Sequence, residues 1–218
     1  MQTIAYGEHP DQVLDLRDGS DPLVVLLHGG FWRRPYARDL MTPLAEAFAA
    51  EGRATANVEY RRLGPGSYRA MLDDVLAARQ SLGKRRAVAV GHSAGGHLAL
   101  WLAAKGAVDS AVALGSVCDL TAAAREHLGR DAAQEFLGGE PEAVSEAYDE
   151  ADPARRLPLG VRHVLVHGTA DDVVPIDHAR AYAARAGDEC RIVELDDLDH
   201  MDVIDPRSAA WPVILECV

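Results

Sequence analysis

A serine hydroxyl is a weak nucleophile at neutral pH. It needs a base to take its proton, an acid to orient that base, and N–H groups to hold the negative oxygen that forms on a carbonyl. The segment Val88-Ala89-Val90-Gly91-His92-Ser93-Ala94-Gly95-Gly96-His97-Leu98 offers the first of these parts. Within it, Gly91-His92-Ser93-Ala94-Gly95 fits Gly-x-Ser-x-Gly, the nucleophile elbow, in which the serine sits on a strained strand-to-helix turn. Five residues alone are a weak signal, because glycine and serine are common. The context strengthens it: Arg86–Val90 is an apolar run of strand length, and Gly96–Ala104 carries Leu98, Trp101 and Leu102 at helical spacing. A helix behind the serine would aim free N–H groups at the reaction centre.

For this elbow the expected chain order is serine, acid, histidine. The acid is sought in His167-Gly168-Thr169-Ala170-Asp171-Asp172-Val173-Val174-Pro175, a tight loop after a strand. Asp171 is the choice there, Asp172 is read as outward-facing or loop-capping, and Asp119 is a lesser competitor. Among nine histidines the base is assigned to His200, in Asp197-Leu198-Asp199-His200-Met201 just after the last strand. His178 is the main rival, at the start of a helix near the acid. His92 and His97 flank the serine and are expected to point elsewhere, and His9, His127 and His163 have no supporting context. For the oxyanion, one N–H should come from Ala94 and others from His28-Gly29-Gly30-Phe31-Trp32, through Gly30 and Phe31, with Gly29 shaping the turn.

These parts must be carried to one place. Strands are expected over Gln12–Leu16, Leu23–Leu27, Ala54–Val58, Arg86–Val90, Ser110–Leu114, His163–His167 and Cys190–Leu195. Helices are expected over Ala37–Ala50 with Gly52 as stop, Tyr68–Leu82 ending at Gly83, Gly96–Ala104, Ile176–Ala186 and Ala210–Cys217, the last tolerating Pro212 only in its first turn. Thr121–Tyr148 is Ala- and Glu-rich, is interrupted by Gly138-Gly139, and reads as short helices forming a small insertion. This alternation gives an α/β fold: a mostly parallel central sheet with helices on both faces. Ligands of such sheets bind beyond the carboxyl ends of the strands. His28-Gly29-Gly30, Ser93, Asp119, Asp171 and His200 all fall at strand ends.

The 218 residues suit one large domain, and a 48% hydrophobic and 26% charged composition is ordinary for a globular chain. A net charge of −12 disfavours nucleic acid and anionic membrane surfaces as partners. The pairs Arg33-Arg34, Arg61-Arg62 and Arg155-Arg156 and the run Lys84-Arg85-Arg86 read as solvated surface. Cys118, Cys190 and Cys217 cannot all pair within one chain, which suits a reducing, cytoplasmic setting, and no zinc spacing is present. The N-terminus lacks the features of a signal peptide, and no apolar run reaches membrane-spanning length.

With these residues in place, nearly the whole chain resembles an α/β-hydrolase, 1–218 as one domain with a small helical cap insertion at about 119–160. His28-Gly29-Gly30-Phe31-Trp32 resembles the His-Gly-Gly-x-Trp motif of kynurenine formamidases (arylformamidases) and related esterases. His200-Met201-Asp202-Val203-Ile204-Asp205 resembles the segment around their catalytic histidine, with Met201 where Phe is usual, and Tyr6-Gly7 to Asp15-Leu16 resembles their N-terminal strands. The loop His167 to Pro175 is similar to the acid loop of many α/β-hydrolases, prolyl oligopeptidase-type peptidases included, and its matching residue is Asp171. The resemblance implies hydrolysis of an aryl formamide such as N-formylkynurenine, or of small acyl esters, with no metal or organic cofactor; the partners are then a small acyl substrate and water, and a homodimer is left open. Phe31, Trp32, Tyr36 and Tyr60 are candidates for the substrate pocket, with core packing the competing reading for Tyr36 and Tyr60. A peptidase of the same fold, or a non-catalytic binding protein on this scaffold, are the alternatives.

Overall fold

The computed structural model describes all 218 residues, Met1–Val218. Eight strands form a single sheet: β1 (Gln2–Ala5), β2 (Val13–Arg17), β3 (Ser20–Leu27), β4 (Arg53–Val58), β5 (Ala87–His92), β6 (Ser110–Leu114), β7 (His163–Gly168) and β8 (Cys190–Leu195). Their spatial order is β1-β2-β4-β3-β5-β6-β7-β8. The β1–β2 and β2–β4 pairs are antiparallel, and every pair from β4 to β8 is parallel. Eight helices accompany them: α1 (Thr42–Ala50), α2 (Tyr68–Ser81), α3 (Ala94–Ala104), α4 (Leu120–Arg125), α5 (Leu128–Leu137), α6 (Ser145–Ala151), α7 (Ile176–Ala186) and α8 (Ala210–Glu216).

The expected fold class is therefore the observed one, and the central strands show why. Side chains alternate across a strand, so a strand apolar at every position must be covered on both faces. Leu23, Val25 and Leu27 of β3 pack into one core with Ala87 and Ala89 of β5 and residues of α2 and α3. Val24 and Leu26 face the other way, into a second core with Val88, Val90, Val112, Leu114, Phe48 of α1 and Ile214 of α8. No helix is long and apolar enough to cross a membrane.

Several boundaries differ from expectation for identifiable reasons. The helix expected from Ala37 starts as a 3-10 turn over Arg38–Met41, and α1 begins at Thr42 with Pro43 in its first turn, where a missing N–H costs nothing. β3 starts at Ser20 rather than Leu23, because Ser20 pairs with Arg53 ahead of a register shift. β1 is a strand that no apolar pattern announces: it is a largely exposed edge strand held by pairing with β2. α5 carries left-handed backbone at Gly129, Arg130 and Asp131, with φ of 62°, 59° and 60°.

Candidate active site

The sheet delivers Ser93 first. β5 is buried along its whole length and ends at His92; α3 begins at Ala94, so the turn is Ser93 alone. Ser93 adopts φ 54°, ψ −120°, a region that costs a non-glycine residue about 1–3 kcal/mol. Its N–H donates to Leu114 O at 2.8 Å, and its carbonyl accepts from Gly96 N at 2.9 Å, so neighbouring elements impose the strain. Glycine is required on both sides by space. A Cβ at Gly91 would overlap the Gly95 carbonyl, and one at Gly95 would overlap the carbonyls of Leu27 and His28.

Asp171 and His200 arrive from the ends of β7 and β8. His200 Nδ1 donates to Asp171 Oδ2 at 2.8 Å, and both residues are buried. The other oxygen, Asp171 Oδ1, accepts from Val173 N at 2.9 Å and Val174 N at 2.8 Å. His167 Nε2 lies 3.2 Å from Asp171 Oδ2 and 2.8 Å from Val174 O. Burial pushes the Asp171 carboxyl up, but hydrogen bonds from His167, His200 and Val174 outweigh it and hold the group well below the usual carboxylate range. The His200 imidazole lies against Gly115, next in the chain to the residue that holds the elbow. A Cβ at Gly115 would lie 3.1 Å from Asp171 Oδ2 and 3.2 Å from His200 Nδ1, and Gly115 directly follows the Leu114 that holds Ser93 N. Ser93 Oγ and His200 Nε2 are not hydrogen-bonded in this structure; catalytic contacts of this type often tighten only with substrate bound.

The loop after β3 carries the amides expected as donors. Gly30, Phe31 and Trp32 have φ of 114°, 53° and 58°, a run of left-handed backbone closed by Arg33 N to Gly30 O at 2.9 Å. The amides of Gly30, Phe31 and Ala94 donate to no acceptor within the chain. Gly29 sits so close to the elbow that a Cβ there would be 2.9 Å from Ser93 Cβ. These amides are without acceptors, and Gly29 brings their loop against the serine.

A buried polar cluster braces this loop from below. His28 Nδ1 contacts Gly29 O at 2.8 Å, and His28 Nε2 contacts Arg62 Nη1 at 3.0 Å and Glu59 Oε1 at 3.1 Å. Glu59 also accepts from Arg38 N at 3.0 Å and pairs with Arg62. Burial raises the Glu59 carboxyl, but the His28 hydrogen bond and charge, the Arg38 amide and Arg62 together bring it down to about 2. Tyr60 belongs to this support and not to a pocket wall. It is fully buried, stacks on His28 with centroids 4.3 Å apart, and donates to His28 O at 2.7 Å. That corrects the pocket reading of Tyr60 in favour of packing.

Trp32 is also largely enclosed: it stacks on Phe136 at 4.7 Å and its Nε1 donates to His97 Nδ1 at 3.3 Å. Its remaining edge lines a cavity of about 230 Å³ with Phe31, Arg34, Leu63 and Phe136, which does not include Ser93, Asp171 or His200. Tyr36 is 42% exposed and closes over Gly30. Arg33 ties the loop to α5, pairing with Glu135 at 2.6 Å and donating to Gly129 O and Arg130 O.

The competitors are engaged elsewhere. Asp119 caps α4 through Ala122 N and pairs with Arg185, and Asp172 is exposed. His178 contacts Glu126 Oε2 at 2.9 Å, and His97 contacts Ala151 O at 2.9 Å. His92 departs from expectation. It does not point away from the site; its ring lies 4.6 Å from the His200 ring. His92, Glu59 and Arg33 escape sequence reasoning because each acts through a partner distant in the chain, and His167, four residues from Asp171, meets it only because the acid loop folds back on the end of β7. The apolar run before His167 marks a strand end, but nothing local marks its contact with Asp171.

Comparison with known families fits this geometry. The BD-FAE family model matches residues 14–185, well over half of the chain. The chain belongs to the BD-FAE family. The match spans the loop after β3, the elbow and Asp171, and ends before His200. Solved structures share the fold of this BD-FAE chain at low identity. A candidate thioesterase from Silicibacter sp. TM1040 is 21% identical, with 98% of this chain and 84% of that chain covered at TM-score 0.78. Esterase 2 of Thermogutta terrifontis, phosphoramylated by tabun, is 22% identical over 99% and 91%, at TM-score 0.76. Esterase B of Lactobacillus rhamnosis HN001 is 18% identical over 99% and 82%, at TM-score 0.78. No curated protein matches the chain.

Proposed function

We propose that this chain is a serine hydrolase acting on small acyl esters. Ser93 is the nucleophile, His200 the general base and acid, Asp171 the orienting acid, and the amides of Gly30, Phe31 and Ala94 the oxyanion donors. The observation that carries the reading is the buried 2.8 Å contact of His200 with Asp171, held against the turn that strains Ser93. Ser93 Oγ attacks the ester carbonyl and His200 Nε2 takes its proton. The imidazolium is stabilised by the charged Asp171, and the oxyanion by the free amides. Collapse expels the alcohol, which takes the proton from Nε2. Water then attacks the acyl-enzyme through the same base and releases the acid.

Esterase 2 of T. terrifontis, whose structures hold propionate and butyrate, supports the small-acyl preference by analogy of fold. That enzyme is also phosphonylated by sarin, which suggests a direct assay. A fluorophosphonate probe should add one adduct mass to the wild-type chain and none to Ser93→Ala, with p-nitrophenyl acetate turnover lost in parallel. Equal labelling or equal turnover of the two proteins would remove the reading. A second reading, hydrolysis of an aryl formamide, draws on the aromatic wall of Phe31, Trp32 and Phe136 next to the oxyanion loop. Measuring N-formylkynurenine beside short and long acyl esters separates the two, since the preferred substrate has the larger kcat/KM.

A further inference from the structure

The base must be held against the nucleophile, and most ties on its loop lead elsewhere. Asp171 holds His200 Nδ1, and Ala170 N donates to Leu198 O at 3.1 Å; both join the base loop to the acid loop. Asp199 Oδ1 accepts from Met201 N and Asp202 N, which only shapes the loop itself. One contact runs to the elbow: His92 Nε2 donates to the His200 carbonyl at 2.9 Å. No other donor reaches that carbonyl. His92 immediately precedes Ser93, so this link joins the base to the nucleophile's own strand.

The same ring touches the third part of the site. His92 Nδ1 is buried without a partner, and a Cβ at Gly29 would lie 3.0 Å from it. The imidazole is thus wedged between the oxyanion loop, the elbow and the base loop. With Nε2 donating, the ring is the neutral tautomer protonated there. Burial, and then the neighbouring His200, lower its pKa to about 3, so no second cation forms beside the base when His200 takes the serine proton.

We infer that His92 is a positioning residue for the proposed base: its Nε2–H sets the distance and angle between His200 and Ser93. It touches no substrate, and its loss is expected to act on kcat. The inference rests on the assignment of Ser93 and His200 above.

Three substitutions test it. His92→Gln keeps a donor at the same bond count from Cα as Nε2. His92→Asn places its donor only where Nδ1 was. His92→Phe keeps ring volume and loses the donor. A shift of about 1 Å in a catalytic group costs up to 10²-fold in rate. The expected result with p-nitrophenyl acetate is therefore a kcat reduced about 10- to 100-fold in Phe and Asn, KM within about twofold, and kcat restored to within about threefold in Gln. Wild-type kcat in Phe or Asn would overturn the inference. So would Gln as impaired as Phe, or a change confined to KM. If Phe fails to fold, the Gln-to-Asn contrast carries the test. Should Ser93→Ala retain turnover, the base assignment and this inference fall together; with Ser93→Ala inactive, a normal His92→Phe removes only the inference.

Discussion

Asp171→Asn is the substitution whose effect the structure constrains most closely. The carboxylate has two differently occupied oxygens. Oδ1 accepts two backbone amides, from Val173 and Val174, and Oδ2 meets the imidazoles of His200 and His167. A carboxamide has one acceptor and one donor end, so it must choose. If the new NH2 faced the two backbone amides, three fixed donors would collide in a buried loop with no means of rearranging. The amide oxygen therefore stays on Val173 and Val174, and the NH2 faces the imidazoles. His167 still has Val174 O at 2.8 Å for its Nε2–H. His200 has no alternative acceptor, so it turns over its tautomer: Nδ1 accepts from the new amide and the proton moves to Nε2. A ring protonated at Nε2 cannot take the proton of Ser93.

Catalysis then requires the minor tautomer, in which Nδ1–H confronts the amide NH2. That leaves two buried donors unsatisfied at about 1–3 kcal/mol each, or about 2–6 kcal/mol together. At 1.36 kcal/mol per decade this is a loss of about 30-fold to 10⁴-fold in kcat, before the missing charge opposite the imidazolium is counted. KM should change little, because Asp171 contacts no substrate. Initial rates with p-nitrophenyl acetate, alongside a urea melt to confirm folding, measure both quantities. A folded Asp171→Asn protein with kcat within about threefold of wild type would refute the tautomer argument and the assignment of the acid.

Other consequences are simpler. Gly95→Ala would drive a methyl group into the backbone carbonyls of Leu27 and His28, and should cost more than about 3 kcal/mol or prevent folding, whereas Gly106→Ala, in open space at φ 64°, should cost about 1 kcal/mol; equal urea midpoints for the two would disprove the close approach at the elbow. Burial lowers the His92 pKa to about 3, with His200 adding to it, and burial lowers that of His97 to about 4. Their folded values lie below the unfolded one, so the unfolded chain binds protons first as pH falls. Stability should be level above about pH 6.5 and then decline by up to about 1.4 kcal/mol per pH unit for each histidine, about 4 kcal/mol in all by pH 5. A urea midpoint unchanged from pH 7 to pH 5 would show that these rings titrate freely.

The parts of the molecule legible in the sequence share one property: their signal is local. The continuous apolar run Leu23–Leu27 announces a strand covered on both faces, and Gly91 and Gly95 bracket Ser93 because the backbone approaches are made by residues nearby in the elbow or directly beneath it. The loop His28–Trp32 is readable because its left-handed run needs the freedom of Gly30. What was not legible depends on pairing over long separations. β1 exists through its register with β2, from Gln2 opposite Leu16 to Ala5 opposite Val13, and its own residues carry no apolar pattern. Tyr60 stays open between pocket wall and core packing in the sequence because nothing local says which face of the loop it takes; its hydroxyl is committed to His28 O, 32 residues away in sequence.

The same distinction explains how the site is held. Its reactive positions are locally unfavourable: Ser93 at φ 54°, and Phe31 and Trp32 at 53° and 58°. Each such residue costs about 1–3 kcal/mol and persists only where surrounding contacts over-determine it. Those contacts are supplied from outside the signature motifs. Leu114 O holds Ser93 N, the Glu59–Arg62 pair holds His28, and Arg33 fastens the oxyanion loop to the left-handed turn at Gly129 and Arg130. Arg33 is the informative case. Read in sequence as half of a solvated Arg33-Arg34 pair, it makes three contacts across about a hundred residues and couples the loop after β3 to α5. The motif names the chemistry, and residues with no motif of their own keep its strained backbone in place.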